Sequence, residues 1–103
     1  MKNLEKYQSK IVKLCQKHQV ERLYAFGSVL NERFTQKSDI DFLVKFGQID
    51  LYNYFDNYFD LKEKLQELLH SEVDLVEEQT LKNTTLIHSI NQNKQLIYGR
   101  ASD

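Results

Sequence analysis

Proline is absent from this 103-residue chain, glycine occurs three times (Gly27, Gly47, Gly99), and cysteine once, at Cys15. That composition contains no linker, repeat or low-complexity spacer, so one domain over residues 1–103 is expected, with material for a single core. A lone cysteine excludes an intrachain disulfide and argues against a cysteine-built zinc site. Long apolar runs are missing as well: nothing approaches the ~20 residues of a membrane span. The opening MKNLEKYQSK lacks the apolar centre of a signal peptide, so a cytoplasmic location is expected. Neither charge sign dominates. Fourteen basic against fifteen acidic residues give −1, which argues against nucleic-acid binding driven by bulk charge. What is present, 41% hydrophobic and 28% charged residues, is the composition of a soluble folded domain rather than a disordered chain.

The hydrophobic pattern predicts an α/β domain. Leu4, Tyr7, Ile11, Leu14 and His18 recur at helical spacing over 3–18, with Cys15 flanking the stripe as a buried, inert thiol and His18 suited to the helix's negative end. Residues 21–26, ERLYAF, read as a strand covered on both faces, broken by Gly27. Ser28 is placed to cap a short helix over about 29–34, followed by the polar loop Thr35–Ser38. A second strand runs from Asp39 to Phe46, with Asp39, Asp41, Leu43 and Lys45 on one face and Ile40, Phe42, Val44 and Phe46 on the other. After Gly47, Asp50 is placed to cap a long helix over 51–69, whose inward stripe comprises Leu51, Tyr54, Phe55, Tyr58, Leu61, Leu65, Leu68 and Leu69. Tyr52 and Phe59 lie off that stripe and, with Phe55, widen the apolar surface, either to cover a sheet edge or to meet a partner. A third strand is expected over 72–76 and a last helix over 80–91, with Leu81, Leu86, Ile87 and Ile90 facing inward. A turn over 91–94 and an apolar patch at Leu96–Tyr98 follow.

The chemistry concentrates around Asp39 and Asp41. Two carboxylates one residue apart on a strand point to the same side and repel unless a cation neutralises them, and a hard cation such as Mg²⁺ takes oxygen ligands together with substrate phosphates. If the 72–76 strand lies beside this one, Asp74, expected to be buried there, completes a three-carboxylate set. Such a set can hold two metals roughly 3.5–4 Å apart. Upstream, Gly27 permits close backbone approach, and Ser28 with the amides of the following turn offers donors to an anion. His70 and His88 have no ligand spacing to a second histidine, and the lysines of the first helix read as a solvated face.

Gly27-Ser28, a ten-residue gap, Asp39-x-Asp41, and then Asp74 on a separate strand resemble the signature of the DNA polymerase β-like nucleotidyltransferase superfamily. The resemblance covers nearly the whole chain, and its small size is similar to that of the minimal nucleotidyltransferase (MNT) group. It implies a small mixed β-sheet flanked by helices, like the polymerase β palm. It also implies Mg²⁺-dependent transfer of a nucleoside monophosphate from ATP or another NTP, with Asp39, Asp41 and Asp74 as metal ligands and Asp74 as candidate general base. Many members of that group are antitoxins paired with a HEPN-domain ribonuclease toxin, and adenylylation of a tyrosine on the toxin is implied. Where many relatives carry arginine just after Gly-Ser, this chain has Val29 and Leu30. Contacts to the triphosphate are therefore expected from backbone amides, Ser28, Arg33 and Lys37. The acceptor is expected to be presented by a partner docked near Tyr52 and Phe59. Two other readings accompany this one: an antitoxin that only binds and blocks its toxin, and a transferase acting on an aminoglycoside-like small molecule, which requires an acceptor-binding domain of its own.

Overall fold

The computed structural model describes residues 4–26, 39–80 and 84–100. After a 3₁₀ turn at Leu4–Tyr7 come α1 (Gln8–Lys17), β1 (Val20–Phe26), β2 (Ile40–Phe46), α2 (Leu51–Leu69), β3 (Val73–Glu77), a 3₁₀ turn at Glu78–Thr80, α3 (Thr84–Asn93) and β4 (Gln95–Gly99). The strands form one mixed sheet in the order β3-β2-β1-β4. β1 runs antiparallel to both β2 and β4, while β2 and β3 are parallel. A parallel pair needs a long crossover, and α2 supplies it.

Strand alternation divides the interior in two. Ile40, Phe42, Val44 and Phe46 of β2, Leu23 and Ala25 of β1, and Val73 and Leu75 of β3 join Ile11 and Cys15 of α1 and Leu61, Leu65 and Leu69 of α2 in the main core. The residues between them, Tyr24 and Leu43, meet Ile90 of α3 in a much smaller cluster flanked by Phe26 and Val76. The expected two-faced second strand is therefore found. Burial pushes the Cys15 thiol up to about 12, in keeping with an inert core sulfur.

Element ends hold by identifiable contacts. Asp50 caps α2, its Oδ1 accepting from the Asn53 N–H at 3.0 Å. His70 closes the same helix in the left-handed conformation at φ 53°. The N–H of Gly47 donates to the Gln19 carbonyl at 2.8 Å, which ties the end of β2 to the turn between α1 and β1. Gly99, at φ +90°, lies where a Cβ would come within 2.2 Å of the Glu21 carbonyl oxygen, so β4 can lie against β1 only with glycine there.

Several expectations need correction. The first helix begins with a 3₁₀ turn and reaches Lys17, and His18 beyond it is a buried tie. Its Nδ1 lies 2.7 Å from the Leu14 carbonyl and its Nε2 2.6 Å from Asp60 of α2. The neighbouring His18 carbonyl accepts from Asn57 of α2 at 2.8 Å. Leu51 and Phe55, assigned inward by helical period, are 78% and 61% exposed, because their turns lie outside the buried stripe that starts at Leu61. The third strand is shifted by one residue, and the last helix starts at Thr84 after the separate 3₁₀ turn. Leu96–Tyr98 is part of a fourth strand, where only an apolar patch was expected. The expected helix over 29–34, Leu81, and the side chain of Leu86 lie outside the described residues.

Candidate active site

The three aspartates are positioned by the β2–β3 pair. β3 enters the sheet parallel to β2, with the Ile40 N–H donating to the Glu72 carbonyl at 2.9 Å, and this register sets Asp41 opposite Asp74. On its other side Asp41 is paired with Phe26, the last residue of β1. By strand alternation Asp41 and Asp74 share the face of the small cluster, away from α1 and α2. Asp39 stands one residue before β2 and is exposed.

Asp41 is half-buried, and its carboxyl is pushed up to about 6, first by loss of water and then by the charges of Asp74 and Asp39. Asp74 is exposed, contrary to the buried carboxylate expected from its apolar neighbours. Val73 and Leu75 turn into the main core, whereas Asp74 faces the thinly covered side of an edge strand. Among the described residues no three His, Cys, Asp or Glu side chains are gathered closely enough to hold a metal ion. The aspartates thus stand as neighbours on adjacent strands rather than as a closed cage. Their chemistry nonetheless fits a hard divalent cation: the donors are all carboxylate oxygens, and the mutual repulsion that raises Asp41 is what such a cation relieves.

The edge strand that carries Asp74 is held from behind by α2. The Tyr58 hydroxyl donates to the Leu75 carbonyl, the Tyr54 hydroxyl to Glu77, and the Val73 N–H to Gln66 Oε1 at 3.2 Å. The bonds at Leu75 and Val73 occupy backbone groups that point away from β2, the usual weak side of an edge strand. Arg22 of β1 then clamps Glu78, just past β3, through Nε at 2.6 Å and Nη2 at 3.0 Å. Sequence reasoning missed these supports, since side-chain partners 7 to 56 residues apart leave no periodic pattern. A cation also lies over this face: the Lys94 ammonium sits 4.1 Å from the centre of the Tyr24 ring. The proposed phosphate-holding residues, Gly27, Ser28, Arg33 and Lys37, lie outside the described residues.

The polymerase β nucleotidyltransferase family model matches residues 9–103. A Methanocaldococcus jannaschii protein provisionally named a protein adenylyltransferase is 37% identical over 98 residues, covering 95% of this chain and 93% of that protein. Among solved structures, one described as a provisional minimal nucleotidyltransferase is 28% identical with a TM-score of 0.74, covering 89% of this chain and 90% of its own. A chain in the complex of a tri-AMPylated Shewanella oneidensis HEPN toxin with an MNT antitoxin is 25% identical. Its TM-score is 0.66, and the match covers 95% of this chain and 74% of that one.

Proposed function

Because this chain belongs to the polymerase β nucleotidyltransferase family, we propose that it transfers AMP from ATP to a hydroxyl of a partner protein and thereby neutralises a HEPN-type toxin. The observation that carries this reading is the pairing of Asp41 with Asp74 across two parallel strands, beside Asp39, on the thinly covered face. Support comes from relatives that bear the adenylyltransferase name and from an AMPylated toxin complex of like fold.

Asp39, Asp41 and Asp74 are the residues that would hold Mg²⁺, which when bound would supply charge neutralisation for the triphosphate and acidify the acceptor hydroxyl. The chain's own residues do the rest. Asp74, exposed at the sheet edge, is open to an acceptor delivered from solvent and takes its proton. The acceptor oxygen attacks the α-phosphorus, the bond to the bridging oxygen breaks, and pyrophosphate leaves. Gly27, Ser28, Arg33 and Lys37 hold the triphosphate. The hydrogen bonds that Tyr58 and Arg22 donate, and the one that Gln66 accepts from the Val73 N–H, fix the β3 region, so that Asp74 stays opposite Asp41.

The acceptor's docking face is the exposed band on the first half of α2, where Leu51, Tyr52, Phe55 and Phe59 are 78, 92, 61 and 57% exposed. At about 100° per residue these four side chains fall within an arc of roughly 100° on the helix. Tyr54 and Tyr58 brace Phe55 and Phe59 edge-to-face from the inner side. Such pre-ordered aromatic surface is typical of interface anchors.

The test is incubation with α-labelled ATP, Mg²⁺ and a HEPN-type partner protein. Label is expected to move to the partner and to stop moving with Asp39→Asn or Asp41→Asn. Label transfer that survives both substitutions overturns the reading. Neutralisation of the partner without ATP, unaffected by those substitutions, assigns the chain to binding-only inhibition instead.

A further inference from the structure

On the layer opposite the aspartates, α1 and α2 leave an open groove of about 420 Å³ between them. Its floor is Leu14 and Leu68, two partly exposed side chains at the outer rim of the main core. Its walls carry Lys10, Lys13 and Lys17 of α1 and Lys64 of α2, against one carboxylate, Glu67. Asp60, bound to His18, lies within electrostatic reach of Lys17 and Lys64 and offsets part of that charge at one end. Among the described residues none of the four lysines is in an ion pair. A chain of net charge −1 thus concentrates a net positive charge around one apolar trough.

We propose that this groove binds an acidic amphipathic helix of a protein partner, with its apolar residues on Leu14 and Leu68 and its carboxylates against the four lysines. The spacing supports a helix. Lys10, Lys13 and Lys17 form one ridge spanning two turns, roughly 10 Å of helix axis, so carboxylates three to four residues apart on a facing helix meet them in step. The lining favours protein over nucleic acid. It has an apolar floor, a carboxylate in its wall, and neither arginine nor an aromatic ring on which a base could stack. Flexible lysine stems fit this use, since they extend the apolar wall while keeping the charge at the rim. The groove shares no residue with the proposed transfer site or with the acceptor-docking band: Asp41 and Asp74 lie across the sheet, and the band occupies the first half of α2.

The test uses the full ¹⁵N-labelled chain and a synthetic amphipathic helical peptide with leucines on one stripe and glutamates flanking it. Amide shifts are expected on α1 and the second half of α2, with binding that weakens as salt rises, as a charged rim requires. Lys13→Glu with Lys17→Glu should weaken binding by on the order of 10-fold or more. A peptide with lysine in place of glutamate should then bind that variant better than it binds the original chain. Both lysines are exposed and outside the core, and a thermal melt checks that the variant stays folded. Should it not, Lys10→Gln with Lys13→Gln serves, with the same loss expected. Absence of shifts in the groove, or affinity indifferent to charge reversal, overturns the proposal. Tighter binding of a single-stranded RNA oligonucleotide to the same residues also overturns it, in favour of a nucleic-acid surface.

Discussion

The two faces of the sheet are unequal. On one, α1 and α2 bury fifteen residues in a continuous core; on the other, Tyr24, Leu43 and Ile90 are the buried cluster among the described residues. The rich face carries the fold's apolar burial, while the poor face holds the carboxylates. Charge tolerates little desolvation, and a site proposed to admit a triphosphate and a protein-borne acceptor cannot be roofed by packed side chains. Asp41 shows the tension within one residue: on the poor face it is still half-buried, and its carboxyl rises to about 6.

The largest effect should come from the rich face. Phe42 is fully buried there, and Phe42→Ala should cost about 3–5 kcal/mol, measured by urea unfolding. Leu43→Ala, one residue along on the other face, should cost about 2–3 kcal/mol, the lower end for a large-to-small change. Equal losses would break the contrast between the faces.

The next effect has the opposite sign. The folded Asp41 carboxyl titrates near 6, against about 4 in the unfolded chain, so the folded state binds that proton more tightly. Stability from this group is fully present below about pH 4 and is lost as pH rises through 6. Asp41→Asn should therefore stabilise the metal-free protein by ~1–2 kcal/mol at pH 8, discounted for the water that still reaches the site. It should leave stability unchanged near pH 3.5, and added Mg²⁺ should narrow the pH 8 gap. Urea melts at the two pH values read this directly.

Smaller still, Asp50→Ala removes the α2 cap and should cost about 1 kcal/mol by the same measurement. Tyr52→Ser with Phe59→Ser should shift stability by only about 0.5 kcal/mol, since both rings are largely in water. Binding to the HEPN-type partner, followed by calorimetry, should nevertheless fall by on the order of 10-fold or more. A stable variant with undiminished affinity would remove the aromatic band from the docking account.

What the sequence revealed tracks how local the cause is. The extent of α2 was legible because its period is long and Asp50 announces its start. The faces of β2 followed from alternation, and the Asp41–Asp74 register meets the condition, left open by the sequence, that the third strand lie beside the second. β4 was not legible as a strand: three consecutive apolar residues carry no period, and its partner β1 lies some seventy residues earlier. The exposure of Leu51 and Phe55 was hidden for a related reason. A helical stripe shows which residues share a side but not how far the neighbouring core extends. His18 acquires its role from Asp60, forty-two residues away, which no spacing rule reaches. The exposed position of Asp74 depends on β3 being an edge strand, a fact of topology rather than of its neighbours in the chain.

Asp74 provides the most direct test, because its side chain is exposed and outside both hydrophobic clusters. The measurement is the rate of AMP transfer from α-labelled ATP to the HEPN-type partner by Asp74→Asn and by the unaltered chain, with thermal melts alongside. The account predicts an unchanged fold and a rate lower by on the order of 10²-fold or more, the scale expected for loss of a catalytic acid or base. Transfer at the original rate by a fully folded Asp74→Asn protein would contradict it.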